Sequence, residues 1–157
     1  MPRQNRRTWF FLRKTPRKKT VLNNHYIKHK EAAREIVTSR VIFWNQIYNF
    51  KYNRIAIKNQ KSRWGSCSSL QNLNFNYKLV FLPAELLDYI VVHELCHLKE
   101  LNHGHNFWRE VEKTIPDYRN RILLLREFER RFLELKREEP LTIHDFIQNN
   151  ATKLERL

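Results

Sequence analysis

Eleven residues, from His93 to His103, constrain this chain more than any other segment. They read HELCHLKELNH, so the first histidine is followed by a second four residues later and by a third six residues after that. On a helix, residues four apart lie on one face, close enough for two imidazoles to bind the same metal ion. Glu94 follows the first histidine, where a carboxylate can act as a base toward metal-bound water. The run therefore predicts a metal site equipped for hydrolysis.

The residues around this run predict a buried helix. Apolar side chains surround it on nearly every side: Leu86, Leu87, Ile90, Val91, Val92, Leu95 and Leu98. Pro83 suits the first turn, and Asn102 followed by Gly104 predicts an end near residues 101–102. Burying two imidazoles and a carboxylate without partners is costly, whereas a bound cation and a water-filled cleft remove most of the cost. This burial disfavours a helix with ordinary solvated polar residues.

Several motifs, taken in order, resemble the YgjP-like metallopeptidase domain, a relative of the SprT-like zinc proteases. They are KSRWGSCS at 61–68, NLNFN at 72–76, the HELCHLKELNH run, Phe107-Trp108 and Pro116-Asp117-Tyr118. The resemblance covers roughly residues 28–128. It implies an α+β fold, a small zincin-like domain with an N-terminal helix, a small twisted sheet containing a hairpin, the HExxH zinc helix and C-terminal helices.

The resemblance also implies an activity, a zinc metallopeptidase of the endopeptidase type. One Zn²⁺ ion would be bound by His93, His97 and His103, and Glu94 would be the general base. Three protein ligands leave a fourth position for water, as in catalytic zinc sites. The expected partner is a protein or peptide substrate.

The third ligand has alternatives. Glu110 and Glu112 stand on a downstream helix, from which another class of zincins takes a glutamate ligand. The segment HGHNF at 103–107 is similar to the SprT-like segment that supplies the third ligand, so it favours His103. Glu100 occupies the position where metzincins have glycine, so the turn between the second and third ligands is expected to differ from theirs.

Other parts of a peptidase site are also expected. Tyr118, Arg109 and His105 are candidates for stabilising the oxyanion of the transition state. By resemblance, an extended peptide would pair with an edge strand, either 72–77 or its hairpin partner.

The segment from Trp64 to Cys67 either packs the hairpin or forms a wall for substrate. Gly65 within it indicates a bulge or a close approach of the backbone to a neighbour. Arg63 and Trp64 are expected to stabilise the fold.

Periodicity and turn residues give a coarse outline. It predicts a helix over 29–48, a strand over 54–58, a hairpin of 62–67 with 72–77, and helices over 106–114, 118–138 and from about 142. The chain divides into a basic arm (1–27), the metallopeptidase domain (28–128) and a helical extension of it (129–157).

Charge is concentrated in the arm. The net charge is +14, and the first thirty residues hold ten Lys or Arg and no Asp or Glu, with Trp9, Phe10, Phe11 and Tyr26 interleaved. A solvated arm is the preferred interpretation, and binding to nucleic acid or to an acidic partner is the alternative. No membrane partner is expected, because no apolar run approaches transmembrane length.

The two cysteines, Cys67 and Cys96, form no disulfide framework and fit a cytoplasmic location. Cys96 is expected to be a small buried hydrophobe.

Three functions remain open: a zinc metallopeptidase, a zinc hydrolase acting on a non-protein amide, and a nucleic-acid-binding protein with a structural zinc. Glu94 disfavours the third, because a structural site needs no general base and is usually closed by a fourth ligand.

Overall fold

The computed structural model describes residues 24–138, with side chains up to residue 131. The predicted basic arm up to residue 23 and the predicted last helix from about 142 lie outside the described residues. Within those residues the fold is α+β, as predicted, with four α-helices and a three-stranded sheet.

The elements follow the chain in a simple order. They are α1 (Asn24–Tyr48), β1 (Arg54–Lys58), β2 (Gly65–Cys67), β3 (Asn72–Asn76), α2 (Ala84–Cys96), α3 (His105–Glu112) and α4 (Tyr118–Glu138). The bounds of β1 and α4 are those predicted, whereas α1 begins earlier and α3 ends sooner. A 3₁₀ helix follows β3 at Tyr77–Phe81, and the Asn76 side chain caps it by accepting from the amide of Lys78.

The sheet is mixed and has the order β1-β3-β2. β3 pairs parallel with β1 and antiparallel with β2, so the predicted hairpin of β2 and β3 is confirmed. Gln71, with a φ of 56°, takes the left-handed conformation in its turn. Because β3 lies between two strands, the expectation that 72–77 itself could pair with a peptide is wrong. Of the two hairpin strands, β2 is the edge strand.

α2 lies at the centre of the fold, in contact with α1, β2, α3 and α4. Nine of its thirteen residues are buried, which confirms the predicted buried helix. Salt bridges from Arg40 on α1 to Asp88, and from Arg121 on α4 to Glu85, attach the neighbouring helices to it. Phe75 of β3 and Phe107 of α3 are fully buried. The helix carrying the histidine run is therefore held on several sides.

No helix in the described part of the chain is both long and apolar enough to span a membrane.

Candidate metal centre

Three histidine side chains converge at the end of α2. The Nε2 atom of His93 lies 3.2 Å from Nε2 of His97 and 3.0 Å from Nε2 of His103. The possible ligand atoms of the three residues all lie within 4.8 Å of one another. The first two histidines are one helical turn apart, so their rings project from the same face. The structure therefore brings together all three residues that were predicted as ligands.

The path to His103 depends on where α2 ends. The helix stops at Cys96, not near residues 101–102 as predicted. Its last turn tightens through hydrogen bonds from the amides of Leu98 and Lys99 to the carbonyls of Leu95 and Cys96, at 2.9 and 3.1 Å. Such short-range bonds commonly close a helix end. The early end leaves enough chain for His103 to return to the other two histidines without the metzincin glycine.

The second ring nitrogens have partners of their own. Nδ1 of His97 lies 3.0 Å from the carbonyl oxygen of Glu100, and Nδ1 of His93 lies 3.5 Å from the hydroxyl of Tyr89. A hydrogen bond from Nδ1–H of His97 to that carbonyl leaves the Nε2 lone pair directed to the centre of the triad. The carbonyl of Glu100, at the position where metzincins have glycine, thus orients a candidate ligand.

The surroundings keep the imidazoles of His93 and His97 neutral. Burial, together with the nearby rings of His97 and His103, lowers the pKa of His93 to about 3. Burial also lowers the pKa of His97, although the Glu100 carbonyl opposes this effect. A neutral imidazole has the free lone pair that a metal ion requires. Three converging imidazole nitrogen donors fit a divalent cation such as zinc.

Glu94 is buried beside this triad, with 6% of its surface exposed. Burial raises the pKa of its carboxyl group to about 8, opposed by the charge of Arg63 and by a hydrogen bond from the backbone amide of Cys67. Among the described residues, none hydrogen-bonds to its Oε2 atom. A buried carboxyl oxygen without a partner is costly, and a nearby cation or a bound water would lower the cost.

Gly65 lets strand β2 lie directly against Glu94. A Cβ at this position would be 2.6 Å from both Cγ and Oε1 of Glu94, well inside the usual contact distance. Its φ is not positive, so a side chain is excluded here by the lack of room for a Cβ and not by the backbone conformation. The expected close approach of the backbone is therefore present, and its neighbour is the predicted base.

A cleft of about 310 Å³ contains the triad and Glu94. Its other lining residues are Arg63, Gly65, Ser66, Cys67 and Leu101. Trp64 turns the other way, where its Nε1–H donates to Oε1 of Glu129 on α4 at 2.6 Å. The Trp64–Cys67 segment thus both packs the hairpin and forms a wall of the cleft. The cleft position of Arg63 was not foreseen, since no motif signals which way that side chain points.

The alternative ligands lie elsewhere. Glu110 is buried, and its carboxylate forms salt bridges at 2.7 Å with Lys99 and with Lys113. Glu112 is exposed, and neither glutamate belongs to the group of converging ligand atoms. Within the described residues, no fourth His, Cys, Asp or Glu joins that group. Cys96 is fully buried, as expected of a small core residue.

The three candidates for stabilising the oxyanion are not brought to the cleft. Tyr118 is buried, with its ring stacked on Trp108 at a centroid distance of 5.0 Å. Arg109 and His105 are exposed on α3, and neither lines the cleft.

Comparison with known proteins shows the class to which this fold and site belong: the chain is a metallopeptidase-domain protein. A family model described as YgjP-like, metallopeptidase domain, matches residues 3–128. The chain therefore belongs to the YgjP-like metallopeptidase family. The match begins earlier than the motifs indicated and includes most of the segment that composition marks as a basic arm.

Two solved structures are also similar to this chain. The metallopeptidase zymogen abylysin of Pyrococcus abyssi is 27% identical, with a TM-score of 0.49, over 56% of this chain and 92% of that chain. The metallopeptidase zymogen jannalysin of Methanocaldococcus jannaschii is 31% identical, with a TM-score of 0.44, over 59% of this chain and 94% of that chain. No curated protein matches this chain.

Proposed function

We propose that the protein is a zinc-dependent peptidase in which His93, His97 and His103 bind one zinc ion and Glu94 is the general base. The observation that carries the proposal is the convergence of three imidazoles beside a buried carboxyl group, in a cleft with an edge strand as one wall. Membership of a metallopeptidase family supports it. Zinc bound in such a site supplies a Lewis acid and lowers the pKa of a bound water to about 7.

Glu94 performs the proton transfers in this proposal. Its carboxylate accepts a proton from the attacking water and later delivers that proton to the leaving amine. The Cys67 amide and the absence of a side chain at Gly65 hold the carboxylate in place. A base acts efficiently only when it is held within hydrogen-bonding reach of the water, so both contacts serve the reaction.

The free edge of β2 is suited to binding the substrate main chain. The carbonyl of Trp64 and the amide of Ser68 bond to β3, so by alternation the backbone groups of Gly65 and Cys67 face the opposite edge. The Cys67 amide binds Glu94, which leaves the amide and carbonyl of Gly65 and the carbonyl of Cys67 for an extended peptide. Main-chain pairing of this kind favours an endopeptidase with loose sequence preference.

The other functions have less support. A structural zinc site is normally closed by four protein ligands, and the converging group among the described residues has three. No feature of the cleft favours a non-protein amide over a peptide.

Cleavage of an unfolded protein tests the proposal. Purified protein loaded with one equivalent of zinc should hydrolyse casein, lose the activity on chelation and regain it when zinc is restored. Absence of cleavage across a broad panel of proteins and peptides, by protein shown to contain zinc, would contradict the peptidase assignment.

A further inference from the structure

Arg63 differs from several other arginines of the fold. Arg40 and Arg121 neutralise carboxylates on α2, at Asp88 and Glu85 respectively. The side chain of Arg63 is exposed, lines the cleft and forms a salt bridge with no carboxylate in the described part of the chain. Its charge acts on the buried Glu94, but an exposed arginine that lines a cleft and forms no salt bridge is available to bind an anion from outside.

The backbone holds Arg63 firmly in this place. Asn76, which is 3% exposed, donates from Nδ2 to the carbonyl oxygens of Arg63 and Gln60 at 2.9 and 2.8 Å. The next residue, Trp64, is fixed both by its carbonyl, which accepts from the Asn76 amide, and by its ring, which donates to Glu129. The side chain of Arg63 therefore extends from an ordered backbone segment. Less backbone entropy is then lost when a ligand binds.

The charge of the cleft favours a carboxylate as the ligand. Apart from the histidines, the accessible walls contributed by Ser66, Cys67 and Leu101 carry no charge, and the carboxyl group of Glu94 is buried. A guanidinium offers two parallel N–H donors, which match the two oxygens of a carboxylate. Resting on the peptidase function proposed above, we propose that Arg63 binds a carboxylate of the substrate, so that the cleft selects acidic peptides.

The place of Arg63 along the strand determines what it contributes. It lies two residues before the first residue of the edge strand β2, beyond the part of the strand that lies against Glu94. A peptide paired along β2 would therefore meet the guanidinium a few residues from the scissile bond. The contact would be equally strong before and during the reaction, so the difference between acidic and amide peptides should lie in KM and not in kcat. The carboxylate is either an Asp or Glu side chain or the C-terminus of the peptide.

Paired peptides test this specificity. Internally quenched peptides should carry Glu or Gln at each position near the cleavage site, each with a free or an amidated C-terminus. We expect the kcat/KM of wild type to be about tenfold higher for one acidic peptide than for its amide counterpart, because its KM is lower. A tenfold difference corresponds to about one partly exposed charge-assisted hydrogen bond. A Glu-to-Gln difference identifies the side chain as the source, and a free-to-amidated difference identifies the C-terminus.

Two variants locate the effect. Arg63→Gln should abolish the preference, so that acidic and amide peptides have the same KM, and Arg63→Lys should retain part of it. Because the charge of Arg63 also lowers the pKa of Glu94, any change in kcat should be the same for both peptides. The matched control is Lys61→Gln, which removes the same charge from an exposed residue of the same segment that does not line the cleft. Lys61→Gln should keep the preference. Equal loss of the preference in Arg63→Gln and Lys61→Gln, or a preference that persists in Arg63→Gln, would overturn the proposal.

Binding separates this proposal from the peptidase function. Fluorescence anisotropy with zinc-loaded Glu94→Gln should show acidic peptides binding about tenfold more tightly than their amide counterparts, and the difference should disappear when Arg63→Gln is added. If wild type cleaves no peptide but this binding difference is present, the peptidase function fails and carboxylate recognition stands. Equal binding of acidic and amide peptides would refute the role of Arg63.

Discussion

Gly65→Ala should disable the site without removing any of its chemical groups. The new Cβ would lie 2.6 Å from Cγ and Oε1 of Glu94 and 2.8 Å from Cδ, and these are its three nearest heavy atoms. Ordinary carbon contacts are about 3.5 Å, so the carboxyl group must move by roughly 1 Å. A displacement of that size can cost about 100-fold in rate. We expect a fall of about 100-fold in kcat, with one zinc still bound per chain.

The same clash should lower stability. Overpacking a filled core site costs about 1–3 kcal/mol, and Glu94 is too buried to swing into solvent. Denaturant unfolding of metal-free protein measures this cost. In a Glu94→Ala background the added methyl group no longer meets the carboxyl group, so the cost should fall below about 0.5 kcal/mol. This coupling between the two positions is the expected signature of direct contact.

Gly104 supplies the matched control, because it is the other glycine of the chain. A Cβ at Gly104 would meet nothing within 4 Å, and its φ of −76° suits alanine. Gly104→Ala should keep its activity and lose at most about 1 kcal/mol as a less favourable helix cap. Normal kcat in Gly65→Ala, or a stability cost that persists in the Glu94→Ala background, would refute the argument that Gly65 positions the base.

Three further predictions follow from the site and its support. His103→Ala should abolish stoichiometric zinc binding, measured by metal analysis of folded protein, while Glu110→Gln keeps the zinc; the reverse result would transfer the third ligand to Glu110. Glu110→Gln should lower the free energy of unfolding, because Lys99 and Lys113 hold the pKa of this carboxylate below its usual 4.5. That stabilisation is present above pH 4.5 and is lost as the pH falls through the lowered pKa, so wild type and variant should converge in acid unfolding curves; a constant difference would contradict it. Tyr48→Phe removes the hydroxyl that donates to the Glu110 carbonyl at 2.8 Å and lies 2.7 Å from Oγ1 of Thr114. The free energy of unfolding should fall by about 1–2 kcal/mol in denaturant unfolding. An unchanged unfolding midpoint would contradict this prediction.

Local patterns predicted the parts of the fold that depend on local sequence. The alternation in Arg54–Lys58 and the helical spacing of apolar residues in Tyr118–Glu138 gave the observed bounds. The spacing of the histidines predicted the triad for a similar reason, because two of its members lie one turn apart on the same helix. The same patterns placed the end of α2 too late, since they did not register the tightened last turn at Cys96.

Features that depend on distant contacts could not be predicted in this way. The central place of β3 in the sheet is one of them. β1 pairs with β3, although β2 lies between them in the sequence, and nothing local to 72–77 indicates that pairing. The glycine at position 65 indicated a close approach, yet only the fold identifies Glu94 as the neighbour. The exposed, cleft-lining position of Arg63 likewise depends on how Asn76 holds its carbonyl from another strand.

Zinc content and casein cleavage, measured together on wild type and Glu94→Gln, separate metal binding from proton transfer in the proposed peptidase. The variant keeps all three histidines and replaces the buried carboxyl group by an amide of nearly the same shape. We expect one zinc per chain in both proteins, with cleavage reduced by at least about 100-fold in the variant because it lacks the general base. Undiminished cleavage by zinc-loaded Glu94→Gln would contradict the proposal.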